Sequence, residues 1–406
     1  MTANAVNNAT IFVANIIIAR RYGQESFGLF SLAVNIALLT LTISEFGMNY
    51  SMIRLYKKHI DDPAKSRAVL LANLYFKLLL LFFLLVLGFI GGHLVAAVFM
   101  HDAKHWLLAA VALVSGGIIG LWSFTRAYFQ VVSRFQAIAG QTIIYALLRM
   151  ILLGGLFLWP GLATEEVLLL AVYIFPLGLI LWWGMYQVKN SVGSFFIAPK
   201  ELWASGIECI NYSWWVALTG ISFVLIQQSM VFIVSIVGGI KQVALLSAGL
   251  VFTAVFSMIN DAICQVLYAK VAGLSHDRIG EYKRRLLRLA PVFLIGTLLI
   301  IAVLSAVMFL FLGEKYANSL PVFWITGIGT AVTAFIGYYS MVMHTIQRPQ
   351  IGAYVNMITL LCFCVTGVLL MKYGNLLAVV AAYVVVLAAG ELLKATLVNR
   401  AMARQA

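Results

Sequence analysis

The chain has 406 residues, of which 63% belong to the apolar set and only 10% are charged. Soluble domains carry about a quarter charged residues, so a water-soluble core is excluded and the chain reads as an all-α integral membrane protein. The formal charge of +13 is accounted for by loops beside a membrane, and no nucleic-acid partner is needed to explain it.

A helix crossing the ~30 Å hydrocarbon layer needs about 20 apolar residues. About twelve such transmembrane helices are predicted, over 3–19, 27–50, 70–99, 106–130, 138–158, 166–188, 208–237, 243–268, 288–312, 319–343, 351–371 and 376–398. The first is the weakest, because Asn4, Asn7, Asn8 and Asn15 interrupt it. With no basic stretch ahead of it and no small-residue cleavage site, it reads as a first crossing rather than a cleaved leader.

Lys and Arg are retained on the cytoplasmic side, and most of the 27 in this chain fall in the even-numbered loops and at the C-terminus. Arg54, Lys57, Lys58, Lys65 and Arg67 follow helix 2, Arg126 and Arg134 flank the turn after helix 4, and Lys189 and Lys200 follow helix 6. Lys270, Arg278, Lys283, Arg284, Arg285 and Arg288 follow helix 8, Arg348 follows helix 10, and Lys394, Arg400 and Arg404 close the chain. Both termini are therefore expected inside. The basic stretch after helix 8 is expected to lie along the inner leaflet as an amphipathic segment.

One segment is written twice. Ser31, Glu45 and Arg54 recur at one constant offset as Ser247, Asp261 and Lys270, and Arg134-Phe135-Gln136 recurs at nearly the same offset as Arg348-Pro349-Gln350. Duplicated helical halves build two bundles around a central site in many transporters. The expected organisation is an N-terminal lobe over 1–200 with helices 1–6 and a C-terminal lobe over 201–406 with helices 7–12.

The loops are too short to fold as domains, and no Gly-rich Walker loop is present. Whatever the chain does is done inside the bundle. His101 and His105 lack a third ligand nearby, and Cys209, Cys264, Cys362 and Cys364 sit in apolar runs as packing residues.

Intramembrane charge is costly, so each case calls for a reason. Arg149, well inside helix 5, is a candidate to engage phosphate or sugar oxygens, or else to pair with an acid on a neighbouring helix. Lys77 either lines a cavity or snorkels to the headgroups. Arg20 and Arg21 oppose the inside rule at the far end of helix 1. Glu45 and Asp261 are either an ion site coupled to rocking or caps for nearby basic groups, and Glu391 precedes Lys394 by three residues, a spacing for local neutralisation. Gln227, Gln228, Asn260 and Asn356 suit a sugar path or interhelical hydrogen bonds. Trp214 and Trp215 read as interface anchors.

The stretch "IIIARRYGQESFGLFSLAVNIALLTLTISEFGMNYSMIR" resembles the N-terminal signature of the Wzx-type O-antigen flippases. These form the polysaccharide-transporter branch of the multidrug/oligosaccharidyl-lipid/polysaccharide (MOP, MATE-like) superfamily. The matching parts are Ala19, Arg20, Gly23, Phe27, Gly28, Glu45, Phe46 and Gly47, followed by "LFLGEKYANSLPVF" and "IQRPQIGAYVNM". Where many relatives carry a basic-x-Asp pattern in helix 7, this chain has Gln227, Gln228 and Ser229. The resemblance implies two pseudo-symmetric six-helix lobes. It implies translocation of undecaprenyl-pyrophosphate-linked oligosaccharide across the bacterial inner membrane by alternating access, with no covalent chemistry and no cofactor beyond a coupling H+ or Na+. It also implies that Arg20 is a substrate contact or a lobe–lobe latch, and it implies a polymerase and a chain-length regulator as partners. The alternative is a cation-coupled multidrug or small-molecule antiporter of the same superfamily.

Overall fold

The computed structural model describes residues 2–159, 161, 164–272, 279–340 and 350–403. The side chains of Trp215 and Lys270, and all of Arg278, Arg348 and Arg404, lie outside the described residues. Among those described, every regular element is helical and there is no strand. Eleven stretches are long and apolar enough to cross a membrane. The first, Ala3–Lys58, contains two crossings, because α1 (Thr2–Glu45) is broken at Gly23. There φ is 87° and ψ 175°, a conformation essentially confined to glycine. The arm 2–22 alone is about 31 Å long at 1.5 Å per residue.

The second arm of α1 ends earlier than the apolar run predicts. Phe46 and Gly47 take φ of 39° and 66°, and α2 (Met48–Lys58) starts afresh. A Cβ on Gly47 would stand 3.1 Å from the Ser213 carbonyl oxygen, so both its backbone angle and its surroundings select glycine. The helix α3 (Pro63–Val95) begins well before residue 70, because Asp62 accepts from the Lys65 N–H and Pro63 occupies the first turn. Asp62 and Pro63 together supply a side-chain acceptor and a pre-set φ at the helix start.

Contacts divide the chain into two compact units, Met1–Ala14 with Leu29–Val224, and Asn15–Gly28 with Leu225–Ala406. In the first unit α3 packs along α4 (Trp106–Val131), and α5 (Phe135–Leu158) packs on α7 (Phe175–Val192). The short α6 (Glu165–Leu169) is capped by the Thr164 hydroxyl and joins α7 through a π-helical turn, Leu170–Ile174. Lipid tails are as apolar as the helices, so close backbone approach and interhelical hydrogen bonds hold such a unit together. Gly116 and Gly120, spaced as in a GxxxG pair, bring α4 against α1: a Cβ on Gly116 would collide with Thr40 and the Ala37 carbonyl, and one on Gly120 would lie 2.7 Å from Ser44 Oγ. Met48, Met52 and Leu55 of α2 are buried with Leu70 and Leu74 of α3 and Phe124 and Tyr128 of α4.

The second unit is built on α9 (Ile240–Ala272), α10 (Ile279–Leu312), α11 (Ser319–Ser340), α12 (Gln350–Tyr373) and α13 (Leu376–Ala403), with α11 lying against both α9 and α13. The last part of α8 (Pro199–Gly238) also belongs to it. The basic stretch after helix 8 is not a separate surface helix: from Ile279 it is the first part of α10, continuous with the crossing.

The bend of α1 belongs to this second unit. Tyr316 donates to the Ala19 carbonyl at 3.2 Å and meets Phe27 edge-on at 6.1 Å, and Gln24 donates to the Lys315 carbonyl. A Cβ on Gly28 would lie 2.5 Å from the Ile240 carbonyl oxygen. The signature residues Ala19 and Phe27 therefore meet Tyr316 of the Gly313–Tyr316 turn, and Gly28 meets Ile240, although they are far apart in the chain.

Candidate functional site

The charged interior of the first unit begins with Arg149, which is wholly buried at 0% exposure. Its guanidinium replaces a backbone bond that the sequence cannot make. In a regular helix the Val172 carbonyl accepts from the N–H of residue 176, but residue 176 is proline. The ring removes that donor and crowds that carbonyl, and the backbone widens into the π turn at Leu170–Ile174. Arg149 Nε donates to the freed Val172 oxygen at 2.9 Å. Nη1 reaches Asn7 Oδ1 and Thr10 Oγ1, each at 3.2 Å, on the first arm of α1.

The face of the guanidinium lies 4.3 Å from the Tyr145 ring centroid and 5.6 Å from that of Tyr173. Such cation–π contacts gain strength when desolvated. Tyr145 in turn packs tilted against Trp122 at 4.8 Å, and Arg126 lies 5.1 Å from the Trp122 ring. Cation, indole, phenol and cation thus alternate through the unit. Three groups along this ladder are buried without a hydrogen-bond partner: Arg149 Nη2, Trp122 Nε1 and the amide of Gln141. Two of these, Arg149 Nη2 and Trp122 Nε1, are N–H donors and suit an acceptor that the protein itself does not supply.

A second polar group surrounds Lys77. The snorkelling expectation fails for this residue, which is 1% exposed and donates to Ser123 Oγ at 3.3 Å. Asn49 donates to the same oxygen at 3.0 Å and to Glu45 Oε1 at 3.4 Å, and Asn73 donates to Asn49 Oδ1 at 3.3 Å. Glu45 is half-buried at the end of α1. The network joins α1, α2, α3 and α4 through amides and one hydroxyl.

The other predicted residues are scattered. Arg20 is exposed, as are Gln227 and Asp261, whereas Gln228 and Asn356 are buried. Asn260 is half-buried and accepts from Cys264 Sγ at 3.5 Å. Glu391 accepts from Lys394 at 2.6 Å. Trp214 is exposed and packs on Phe46 at 6.0 Å. Of the cysteines, Cys209 is buried in the core and Cys362 is exposed. Among the described residues no group of His, Cys, Asp and Glu is arranged to hold a metal.

Sequence reading missed Asn7, Thr10, Tyr145 and Pro176. The signal was available for three of them: Tyr145 stands one turn before Arg149 on the same helix. Asn7 was one of the polar interruptions that made the first helix look weak, and Pro176 marks the carbonyl four residues earlier as lacking its donor.

The fold is that of a polytopic helical membrane protein with MATE-like structural neighbours. The chain is similar in fold to an inward-facing multidrug resistance MATE family transporter of the MOP superfamily, with a TM-score of 0.81 and 11% identity over 98% of this chain and 95% of that one. It is equally similar to the lipid II flippase MurJ in an inward closed conformation, at 0.79 and 13% over 98% and 87%. A eukaryotic MATE transporter matches at 0.59 and 16% over 99% and 96%. Residues 1–269 match the family described as "Polysaccharide biosynthesis protein", and the chain belongs to that family. No curated protein matches the sequence.

Proposed function

We propose that the protein is a flippase that moves a lipid-linked oligosaccharide from the inner to the outer leaflet by alternating access. One observation carries this reading over drug export. Among the described residues the only wholly buried charged side chains are the cations Arg149 and Lys77, and no Asp or Glu is buried. A buried cation favours an anionic substrate group, and a pyrophosphate is such a group. A cationic drug would call for a buried carboxylate.

The specific substrate in this proposal is an undecaprenyl-pyrophosphate-linked repeat unit of O-antigen or a related surface polysaccharide. The protein acts in the bacterial inner membrane with both termini in the cytoplasm, and residues 1–200 and 201–406 act as the two moving lobes. Arg20 is assigned to substrate contact or to a latch between the lobes, Gln227, Gln228, Asn260 and Asn356 to the sugar path, and Glu45, Asp261 and Glu391 to coupling by H+ or Na+ or to structural pairing. No bond is made or broken, so the protein is not an enzyme, and it works beside a polymerase and a chain-length regulator.

The test is the fate of the lipid-linked oligosaccharide in cells lacking the chain. Complete repeat units confined to the inner leaflet are the expected result, and a normal outer-leaflet pool would sink the proposal. The second reading, a cation-coupled multidrug antiporter, is favoured by the fold likeness to a multidrug transporter. It predicts drug sensitivity with an undisturbed oligosaccharide pool.

A further inference from the structure

The cations that the first unit buries are sealed off: Arg149 is 0% exposed and Lys77 1%. Arg126, on α4, is a third cation of the same interior, and it is only partly covered. Among the described residues its guanidinium has no hydrogen bond and no ion pair, and the contact it does make is with a ring: it lies over Trp122, 5.1 Å from the ring centroid. A charged group with several N–H donors and no acceptor, set inside a bundle, calls for a partner from outside the chain.

The ordinary use of a basic residue near the end of a crossing is to snorkel to the headgroups. Arg126 does the opposite. The helix α4 ends at Val131, while the guanidinium reaches back one turn, away from that end, to the buried ring of Trp122. The charge therefore sits about 13 Å from the helix end at 1.5 Å per residue. At such a depth a charge faces the bundle interior or a wet cavity rather than lipid. The electrostatics agree. Glu45 acts on both Arg126 and Lys77, yet among the described residues its side chain bonds only Asn49. Two cations thus share one carboxylate, and a positive charge is left to be balanced.

A guanidinium whose face is covered by an indole offers its N–H edge, and that edge is a flat fork that fits two oxygens of one phosphate. The same indole lacks an acceptor: Trp122 Nε1 is buried and unpartnered. Two kinds of N–H donor and a net positive charge suit a group with several acceptor oxygens and more than one negative charge. Resting on the flippase reading, we infer that Arg126 takes hold of the pyrophosphate of the lipid-linked substrate, with Trp122 fixing the guanidinium plane and donating its own N–H. Arg149 and Lys77 add positive field behind it without touching the substrate. Arg126 thereby sets the preference for two phosphates over one.

The experiment titrates the full-length protein in detergent with geranylgeranyl pyrophosphate and with geranylgeranyl monophosphate, and reads affinity by calorimetry. The wild type is expected to bind the pyrophosphate roughly tenfold more tightly, the worth of one further charge-assisted hydrogen bond. Arg126→Gln is expected to lose that preference and to keep its Tm, since no hydrogen bond of the fold goes with it. Arg126→Lys, which keeps the charge without the fork, is expected to recover only part of the preference. Trp122→Phe, which keeps a ring without the N–H, is expected to lose part of it. Pyrophosphate binding unchanged in Arg126→Gln would overturn the inference and leave the flippase reading standing. Full preference in Arg126→Lys, or equal affinity of the wild type for the two lipids, would also overturn it. Binding of neither lipid by the wild type would take the flippase reading down as well.

Discussion

The two units solve the problem of polar groups in hydrocarbon in opposite ways. The first buries Arg149 and Lys77 completely and surrounds them with carbonyls, hydroxyls, amides and rings, whereas the second, among its described residues, buries no charge at all. Its charges stay at the edge: Glu391 neutralises Lys394 within one turn, and Asp261 is exposed. The contrast is sharpest at the duplicated positions. Ser31 and Ser247 are buried alike, but Glu45 accepts from an amide in a network of four helices while its counterpart Asp261 stands in the open. A duplicated sequence pattern has kept its spacing while one copy became the polar interior.

The largest effect that can break this contrast is at Arg149. Arg149→Ala leaves the Val172 carbonyl only the 3.5 Å bond from the Tyr145 hydroxyl and removes the tie to Asn7 and Thr10, and is expected to cost roughly 3–5 kcal/mol. Thermal unfolding in detergent and the level of folded protein in membranes would report it. The Glu391→Gln/Lys394→Gln double variant is expected to cost about 1 kcal/mol or less. Equal losses would erase the distinction between the units.

Next in size are the glycine contacts, which occur in both units and so sharpen the comparison by their similarity. Gly28→Ala presses on the Ile240 carbonyl and Gly116→Ala on the Ala37 carbonyl. Each is expected to cost roughly 1–3 kcal/mol, as overpacking does. A Gly28→Ala protein with an unchanged Tm would show that the second unit yields where the first does not.

Lys77→Met exchanges a buried cation for an apolar side chain of similar length. Such exchanges are often neutral or better for stability, so Tm is expected to stay within about 1 kcal/mol of wild type while the outer-leaflet pool of lipid-linked oligosaccharide falls. An undiminished pool would make Lys77 a structural residue only. The smallest effect is at Asp62, whose carboxyl is held below the usual carboxylate range first by the Lys65 backbone N–H. A lowered folded pKa gives stability that is present at neutral pH and lost as pH falls. The small Tm gap between wild type and Asp62→Ala is therefore expected to close below about pH 4, in a comparison of melts at pH 7 and pH 3.5.

Much of the fold was legible because apolar run length is a direct measure of a crossing. The predicted starts at 106, 319 and 376 coincide with those of α4, α11 and α13. The misses occurred where hydropathy is blind. It reads through Phe46 and Gly47, because a left-handed backbone has no hydropathy, and it stopped short of Pro63, because a capped polar start is not apolar. The candidate site was half legible. A charge inside an apolar run announces itself, and so Arg149 and Lys77 stood out. Tyr145 lies one turn before Arg149 on the same helix and was within reach of an i,i+4 reading, but the other partners are carbonyls, amides, hydroxyls and a ring distant in sequence, and no pattern within one helix identifies those.

Pro176 and Arg149 have an evolutionary consequence. The proline leaves a backbone vacancy that only a donor from another helix fills, so neither position is free to change alone. A Pro176→Ala chain regains its own N–H as a competing donor to the Val172 carbonyl, while an Arg149→Leu chain leaves that carbonyl only the long bond from the Tyr145 hydroxyl at 3.5 Å. The two positions are expected to vary together, so that homologues lacking the proline lack the arginine as well.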